Sequence, residues 1–310
     1  MISRKLARSL ILVALAVVGG TIGLAAWREA RALAENPPTG QFVTVDGLRV
    51  HYEAKGTGPD LVMIHGASGN LRDFTFALRD PLAEHFRVIA FDRPGFGHSD
   101  PLTDVSLAAQ ARHLSLAAAQ LGATRPIVLG QSYGGSVAMA WALQGDVAAM
   151  VTIGSPSLPW PGGLSNTYRL SANPVGATLL AAFVPKSYVD ATIARIFAPA
   201  AMPPGFDDYI GTALTLRRTS LRTNGAQVLA LRGQLDVMQA RYPDVSIPVE
   251  LIHGDADTTV PLSIHSAPLS RILPNATLTV LPGAGHMPHH THVDAIVAAT
   301  LRAAASAGLR

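Results

Sequence analysis

The chain has 310 residues, an ordinary globular composition and no cysteine. That length suits one large α/β domain carrying an insertion, and the missing thiols exclude disulfides, thiolate catalysis and cysteine-based metal sites. The net charge of +3 is concentrated at one end: up to residue 34, Arg4, Lys5, Arg8, Arg28 and Arg31 face only Glu29, a net of +4, which leaves the remainder at −1 and gives no basic surface for nucleic acid.

Residues 1–8 form a basic flank, and from Ser9 to Trp27 no residue is charged. As a helix rising ~1.5 Å per residue, residues 9–27 span roughly 28 Å, close to the hydrocarbon thickness of a bilayer. The preceding cations keep the N-terminus cytoplasmic and send the body across. A cleaved signal peptide is the competing reading, with Ala32-Leu33-Ala34 as the cleavage site, but Arg28, Glu29 and Arg31 lie between that site and the apolar run. The expectation is therefore a membrane anchor with the body exported, the alternative being secretion after cleavage. Residues 28–40, ending in Asn36-Pro37-Pro38-Thr39-Gly40, read as a linker.

Two alternating runs then flank Asp46-Gly47, a type I′ hairpin signal. Short apolar strands at residues 61–64, 87–91, 126–129 and 148–153 alternate with helical stretches at 71–86, 106–121 and 136–144. This rhythm predicts an α/β fold with a doubly wound, mostly parallel sheet whose sites lie at the carboxyl ends of its strands. Between Pro156 and Pro248 it gives way to a proline-rich stretch with helical patches at 177–184, 188–197 and 206–218 and no strand. Residues 157–246 read as a helical cap inserted between two parts of the core, 41–156 and 247–310.

The stretch Gly130-Gln131-Ser132-Tyr133-Gly134 falls between a strand and a helix. Gly-x-Ser-x-Gly alone is a weak pattern, because glycine and serine are common. At a strand-to-helix turn it reads as a nucleophile elbow, in which the glycines clear the neighbouring backbone and the helix N-terminus faces the serine hydroxyl. Two later strand ends carry His253-Gly254-Asp255-Ala256-Asp257-Thr258-Thr259-Val260-Pro261 and Gly283-Ala284-Gly285-His286. The order serine, acid, histidine is that of elbow-type hydrolases.

With these motifs in register the chain resembles the α/β-hydrolases, and is similar to their capped subgroup of esterases, carbon–carbon bond hydrolases, haloperoxidase-like enzymes, epoxide hydrolases and haloalkane dehalogenases. The resemblance covers residues 41–156 and 247–310. It implies Ser132 as nucleophile and His286 as base. Asp257, which stands shortly before Val260-Pro261, is the implied acid, with Asp255 as its local competitor. The loop His65-Gly66-Ala67 matches the family's oxyanion loop, so the N–H groups of Ala67 and Tyr133 form the expected oxyanion hole. His65 shapes that loop, and the turn from Asp92 to Ser99 is structural. A serine nucleophile excludes dehalogenase and epoxide hydrolase chemistry, which needs a carboxylate. His286, His289, His290 and His292 crowd together, yet no metal and no cofactor is expected.

The expected activity is hydrolysis of a small-molecule hydrophobic ester. A carbon–carbon bond hydrolase and a cofactor-free haloperoxidase or perhydrolase use the same triad, while a non-catalytic binding module would show a missing triad member. The cap residues Leu179, Leu180, Phe183, Ile193, Ile196 and Phe197 suggest a hydrophobic acyl or alcohol pocket, or equally the cap's own core.

Overall fold

A computed structural model describes residues 3–309; the first two residues of the expected basic flank and the last residue of the second core segment lie outside them. Helix α1 (Arg4–Glu35) begins where the Ser3 side chain accepts the Leu6 N–H and then runs for 32 residues. It does not stop at Trp27. Residues 28–35, expected as the start of a linker, are helical, and only 36–40 lead into the sheet. Arg28 to Glu35 contain no glycine or proline, and Pro37 drives the preceding Asn36 out of the α region, to φ −129°.

Strands β1 (Gln41–Val45) and β2 (Leu48–Lys55) form the expected hairpin, with Asp46 and Gly47 at φ 51° and 80°. After β3 (Asp60–Ile64) the spacing suggests one helix over 71–86, but the chain forms α2 (Arg72–Thr75) and α3 (Arg79–Ala83). Pro81 explains the break, because its ring collides with the carbonyl four residues back and it brings no N–H. Then come β4 (Arg87–Phe91), α4 (Leu107–Gln120), β5 (Ile127–Gln131), α5 (Tyr133–Ala142) and β6 (Ala149–Ile153).

Between β6 and β7 lie only helices among the described residues: α6 (Asn166–Ala172), α7 (Pro174–Phe183), α8 (Lys186–Ile196), α9 (Phe206–Ile210), a 3-10 turn Thr212–Leu216, α10 (Arg218–Met238) and a second 3-10 turn Gln239–Asp244. The single helix expected over 206–218 is divided by Gly211 at φ 65°. The chain closes with β7 (Val249–Gly254), α11 (Ser266–Ile272), β8 (Ala276–Leu281), α12 (Pro288–Thr291) and α13 (Val293–Ser306).

The eight strands lie in the order β1-β2-β4-β3-β5-β6-β7-β8, antiparallel only where β2 pairs with β1 and β4. Alternate residues face opposite sides. Val62 and Ile64 pack toward α4 and α5, while Leu61 and Met63 pack toward α3 and α13. This fixes the carboxyl ends of β3, β5, β7 and β8 along one edge.

The cap's apolar residues do not converge on one pocket. Phe197 packs with Phe206, Ile210 and Met287, with Ile193 and Ile196 against them, which seats the cap on the loop after β8. Leu179 and Phe183 face outward.

Close approaches set the glycine requirements. A Cβ on Gly134 would lie 2.0 Å from the Ile64 carbonyl oxygen, which cannot move without shifting the sheet, whereas one on Gly233 of α10 would meet nothing within 4 Å. Gly134→Ala is expected to destabilise the fold by about 3 kcal/mol, and Gly233→Ala to stabilise it by about 0.5–1 kcal/mol. Urea unfolding of the two variants checks both signs.

Candidate active site

The strand ends bring Ser132, Asp257 and His286 together. Ser132 sits between β5 and α5 at φ 49° and ψ −124°, a conformation that costs a non-glycine residue of order 1–3 kcal/mol. It persists because its surroundings leave no alternative: a Cβ on Gly130 would lie 2.3 Å from the Gly134 carbonyl oxygen, so strand and helix are in direct backbone contact beneath the serine.

The Ser132 hydroxyl lies 3.0 Å from His286 Nε2, and His286 Nδ1 lies 2.7 Å from Asp257 Oδ2. A carboxylate can only accept, so Nδ1 carries the proton and Nε2 is free to take one from the hydroxyl. Asp257 Oδ1 accepts the backbone N–H groups of Thr259 and Val260, each at 2.8 Å. Burial alone would raise this carboxyl's pKa, but His253, His286 and the Val260 N–H offset it and hold Asp257 well below the usual carboxylate range. Asp255, the local competitor, is exposed and accepts the Gly283 N–H at 2.7 Å, on a different errand.

His253 is a member of the site that spacing does not single out. Its Nε2–H donates to the Val260 carbonyl at 2.7 Å, and Nδ1 accepts from the Ser266 hydroxyl at 2.7 Å. It therefore braces the turn that presents Asp257, and its Nε2 lies 3.4 Å from Asp257 Oδ2.

The loop from His65 to Ser68 runs beside the serine: a Cβ on Gly66 would lie 3.2 Å from that of Ser132. Ala67 is exposed there. Tyr133, as the first residue of α5, has an N–H without an intrahelical acceptor; its ring is buried, and its hydroxyl accepts from Gln110 Nε2 at 3.2 Å.

Arg93 holds this loop. Its fully buried guanidinium donates to the carbonyls of His65 and Gly66, each at 2.9 Å, and to Gln110 and Gln227 at 2.9 and 2.7 Å. It also lies 4.5 Å from the centre of the Tyr133 ring and 4.6 Å from that of Phe96. Burial lowers its pKa to about 10, so it stays charged. From the cap, Asn224 accepts the Ser68 N–H at 3.0 Å, where Ser68 has φ 57°. Asp92, buried beside Arg93, accepts from His51, Leu71 and His98, so the turn it opens is tied into the fold rather than aimed at Ser132.

The histidines after His286 form a second cluster. His289 and His290 both donate from Nε2 to Asp73 Oδ1, at 3.1 and 2.8 Å. Their spacing could hold a metal ion. However, a metal-bound imidazole normally donates its other N–H to an acceptor, and Nδ1 of both rings is buried without a partner among the described residues. The cluster fits a hydrogen-bonded clamp better, tying α2 to α12 through Asp73.

A serine hydroxyl, an imidazole, a buried carboxylate and an N–H at a helix start are the parts found in the hydrolases that act through a strand-to-helix nucleophile. The chain matches the alpha/beta hydrolase fold over residues 59–293, and it belongs to that family. It is 31% identical over 270 residues to an uncharacterized protein of Mycobacterium tuberculosis, covering 82% of this chain and 77% of that one. It is 29% identical over 258 residues to the pimeloyl-[acyl-carrier protein] methyl ester esterase of Vibrio atlanticus, covering 79% and 94%. Among solved structures, a thermophilic esterase from Thermogutta terrifontis superposes with a TM-score of 0.71 at 22% identity, covering 86% and 99%. The protein is a hydrolase.

Three histidines set an acid limit. His65 donates from Nδ1 to the Gly66 carbonyl and accepts the Arg93 N–H at Nε2, each at 2.9 Å. A second proton would point a donor at a donor. Burial, helped by Arg93, lowers His65 to about 4. Burial lowers His289 and His265 to about 4 as well, and His265 Nδ1 accepts the Ser157 N–H. The unfolded chain, with histidines near 6.5, binds more protons than the fold between about pH 6.5 and 4. Their contribution is complete above that window and is lost as pH falls through it, at up to about 1.4 kcal/mol per pH unit for each residue. Urea midpoints between pH 7.5 and 4 should fall across that range, before the carboxylates titrate; a flat profile down to pH 4.5 would contradict this account.

Proposed function

We propose that the protein is a membrane-anchored serine hydrolase that cleaves carboxylic esters of hydrophobic substrates through an acyl-enzyme. The observation that carries the reading is the His286 imidazole, hydrogen-bonded to Ser132 on one nitrogen and to buried Asp257 on the other. His286 takes the hydroxyl proton as Ser132 attacks the ester carbonyl. Asp257 holds the imidazole in its Nδ1–H tautomer and stabilises the imidazolium. The N–H groups of Ala67 and Tyr133 receive the developing oxyanion, each by analogy worth about 10²–10³ in rate. His286 then returns the proton to the leaving alcohol, activates water, and the acid departs.

The esterase names of the Vibrio and Thermogutta relatives support ester chemistry. The charged residues just past the apolar run support the anchor reading. Arg28 donates to the carbonyls of Ala182 and Val184 at 2.7 and 2.5 Å, and Glu29 pairs with Arg218 at 2.6 Å. Signal cleavage after Ala34 would remove these contacts, and the site itself lies within a continuous helix whose Ala32 is buried. The body then stands on the far side of the membrane from the basic flank.

Ser132→Ala is expected to lower nitrophenyl butyrate hydrolysis by about 10³ or more and to abolish fluorophosphonate labelling; an active, labelled variant would sink the assignment. Asp257→Asn should lose about 10²–10⁴ in kcat, whereas Asp255→Asn should stay within about twofold of wild type. Across a series of nitrophenyl esters, kcat/KM should rise from acetyl to octanoyl by about tenfold or more. A steep preference for acetyl would count against a hydrophobic substrate.

A further inference from the structure

Helix α7 carries a face that the fold leaves uncovered. Pro174 to Phe183 contain no charged residue, and Val175, Leu179 and Phe183 are 69%, 44% and 61% exposed. Spaced four apart, they lie along one side of the helix. Ala177 and Ala181, displaced by two positions and so roughly 200° around the helix, lie on the buried side. An apolar stripe of this kind on a monomeric surface marks an interaction site.

The neighbouring helix indicates what covers it. Ala25 of α1 packs on Ala181 and Ala182 of α7. Three residues on, Arg28 grips the carbonyls of Ala182 and Val184, the two residues that bracket Phe183. Phe183 is therefore held near the level where the uncharged run of α1 ends; Trp27, the last residue of that run, is itself exposed and suited to a membrane–water boundary. Since α1 continues from that run to Glu35 without a break, the cap is fixed against the base of the span and does not swing on a linker.

We propose that α7 lies in the membrane interface, with Val175, Leu179 and Phe183 inserted among the lipids, so that the cap sits on the bilayer and substrate reaches the site from the lipid phase. An interfacial helix buries its apolar face roughly 5–10 Å into the headgroup and acyl boundary. The proposal rests on the reading of α1 as a retained membrane span. Its occupant is the bilayer, and a second copy of this chain is the rival that the test must exclude.

The absence of native cysteines allows single labels on the full-length chain. Leu15→Cys in the span, Leu179→Cys and Phe183→Cys on α7, and Val237→Cys, 76% exposed on α10, are each coupled to an environment-sensitive nitrobenzoxadiazole. The proteins are reconstituted in vesicles of phosphatidylcholine and phosphatidylglycerol containing shallow or deep spin-labelled lipids. The expected result is deep quenching at position 15, quenching at 179 and 183 at least twofold stronger by the shallow label than by the deep one, and none at 237. If 179 and 183 behave like 237 while 15 is quenched, the interfacial helix is overturned and the anchor stands. If 15 is not quenched, the anchor reading itself fails. Shielding at 183 that grows with protein copies per vesicle would assign the face to a second copy and overturn the proposal.

A functional measurement accompanies the labels. The L179S/F183S chain should hydrolyse a long-chain ester embedded in vesicles at least tenfold more slowly than wild type, with soluble nitrophenyl acetate turnover unchanged within twofold. Unchanged hydrolysis of the embedded ester would refute delivery from the lipid phase.

Discussion

Arg93 carries a full charge away from bulk solvent, and its partners are carbonyl oxygens, side-chain amides and two aromatic rings. An isolated ion in such a place costs several kcal/mol, so the fold must keep all of those acceptors aimed at one point. They come from the loop after β3, from α4 and from the cap helix α10, with the Tyr133 ring closing the cage from α5. The carbonyls of His65 and Gly66 turn inward to the guanidinium, which leaves the following N–H at Ala67 on the opposite side of its peptide plane. Satisfying one buried cation thus shapes the loop that runs beside Ser132.

The elbow applies the same logic to backbone. Ser132 accepts an unfavourable φ because β5 and α5 pack too closely for any side chain at Gly130 or Gly134. Its strain is confined by contacts that do not involve the serine side chain, so the hydroxyl is committed only to His286. Asp257 is likewise presented by a turn whose geometry is secured elsewhere, through His253 and the N–H groups of Thr259 and Val260. In each case a reactive group is positioned by atoms that take no part in the chemistry.

The parts legible in the sequence are those with local signals. The hairpin at Asp46-Gly47, the alternation of strands and helices, the elbow, and the order of Ser132, Asp257 and His286 can be read directly, while Asp255 is set apart from Asp257 only by the structure, which leaves it exposed. The missing parts depend on distance in space. His253, Arg93, Asn224 and Asp73 act through partners up to 217 positions away, and no spacing rule reaches that far. Helix α10 is unreadable for a different reason: Thr219, Thr223, Asn224, Gly225 and Gly233 are weak helix formers, and the helix forms because its face packs against α6 and the core. The run from Arg28 to Glu35 reads as a linker because its charges suggest an end to the apolar helix, when two of them, Arg28 and Glu29, are the residues that dock it.

The hydrogen bond from Ser68 to Asn224 crosses from the loop after β3 to the inserted cap. The cap is a single insertion between β6 and β7, the arrangement that lets one scaffold exchange caps and so change substrates without disturbing the sheet. Yet this cap also holds the loop beside Ser132, through Asn224 to Ser68 and through Gln227 to Arg93. A cap transplanted from a relative could bring a new pocket and still leave the scaffold's machinery slack, unless α10 arrived with an amide at each of those two positions. In this protein the insertion that covers the strand ends also fixes the loop beside Ser132.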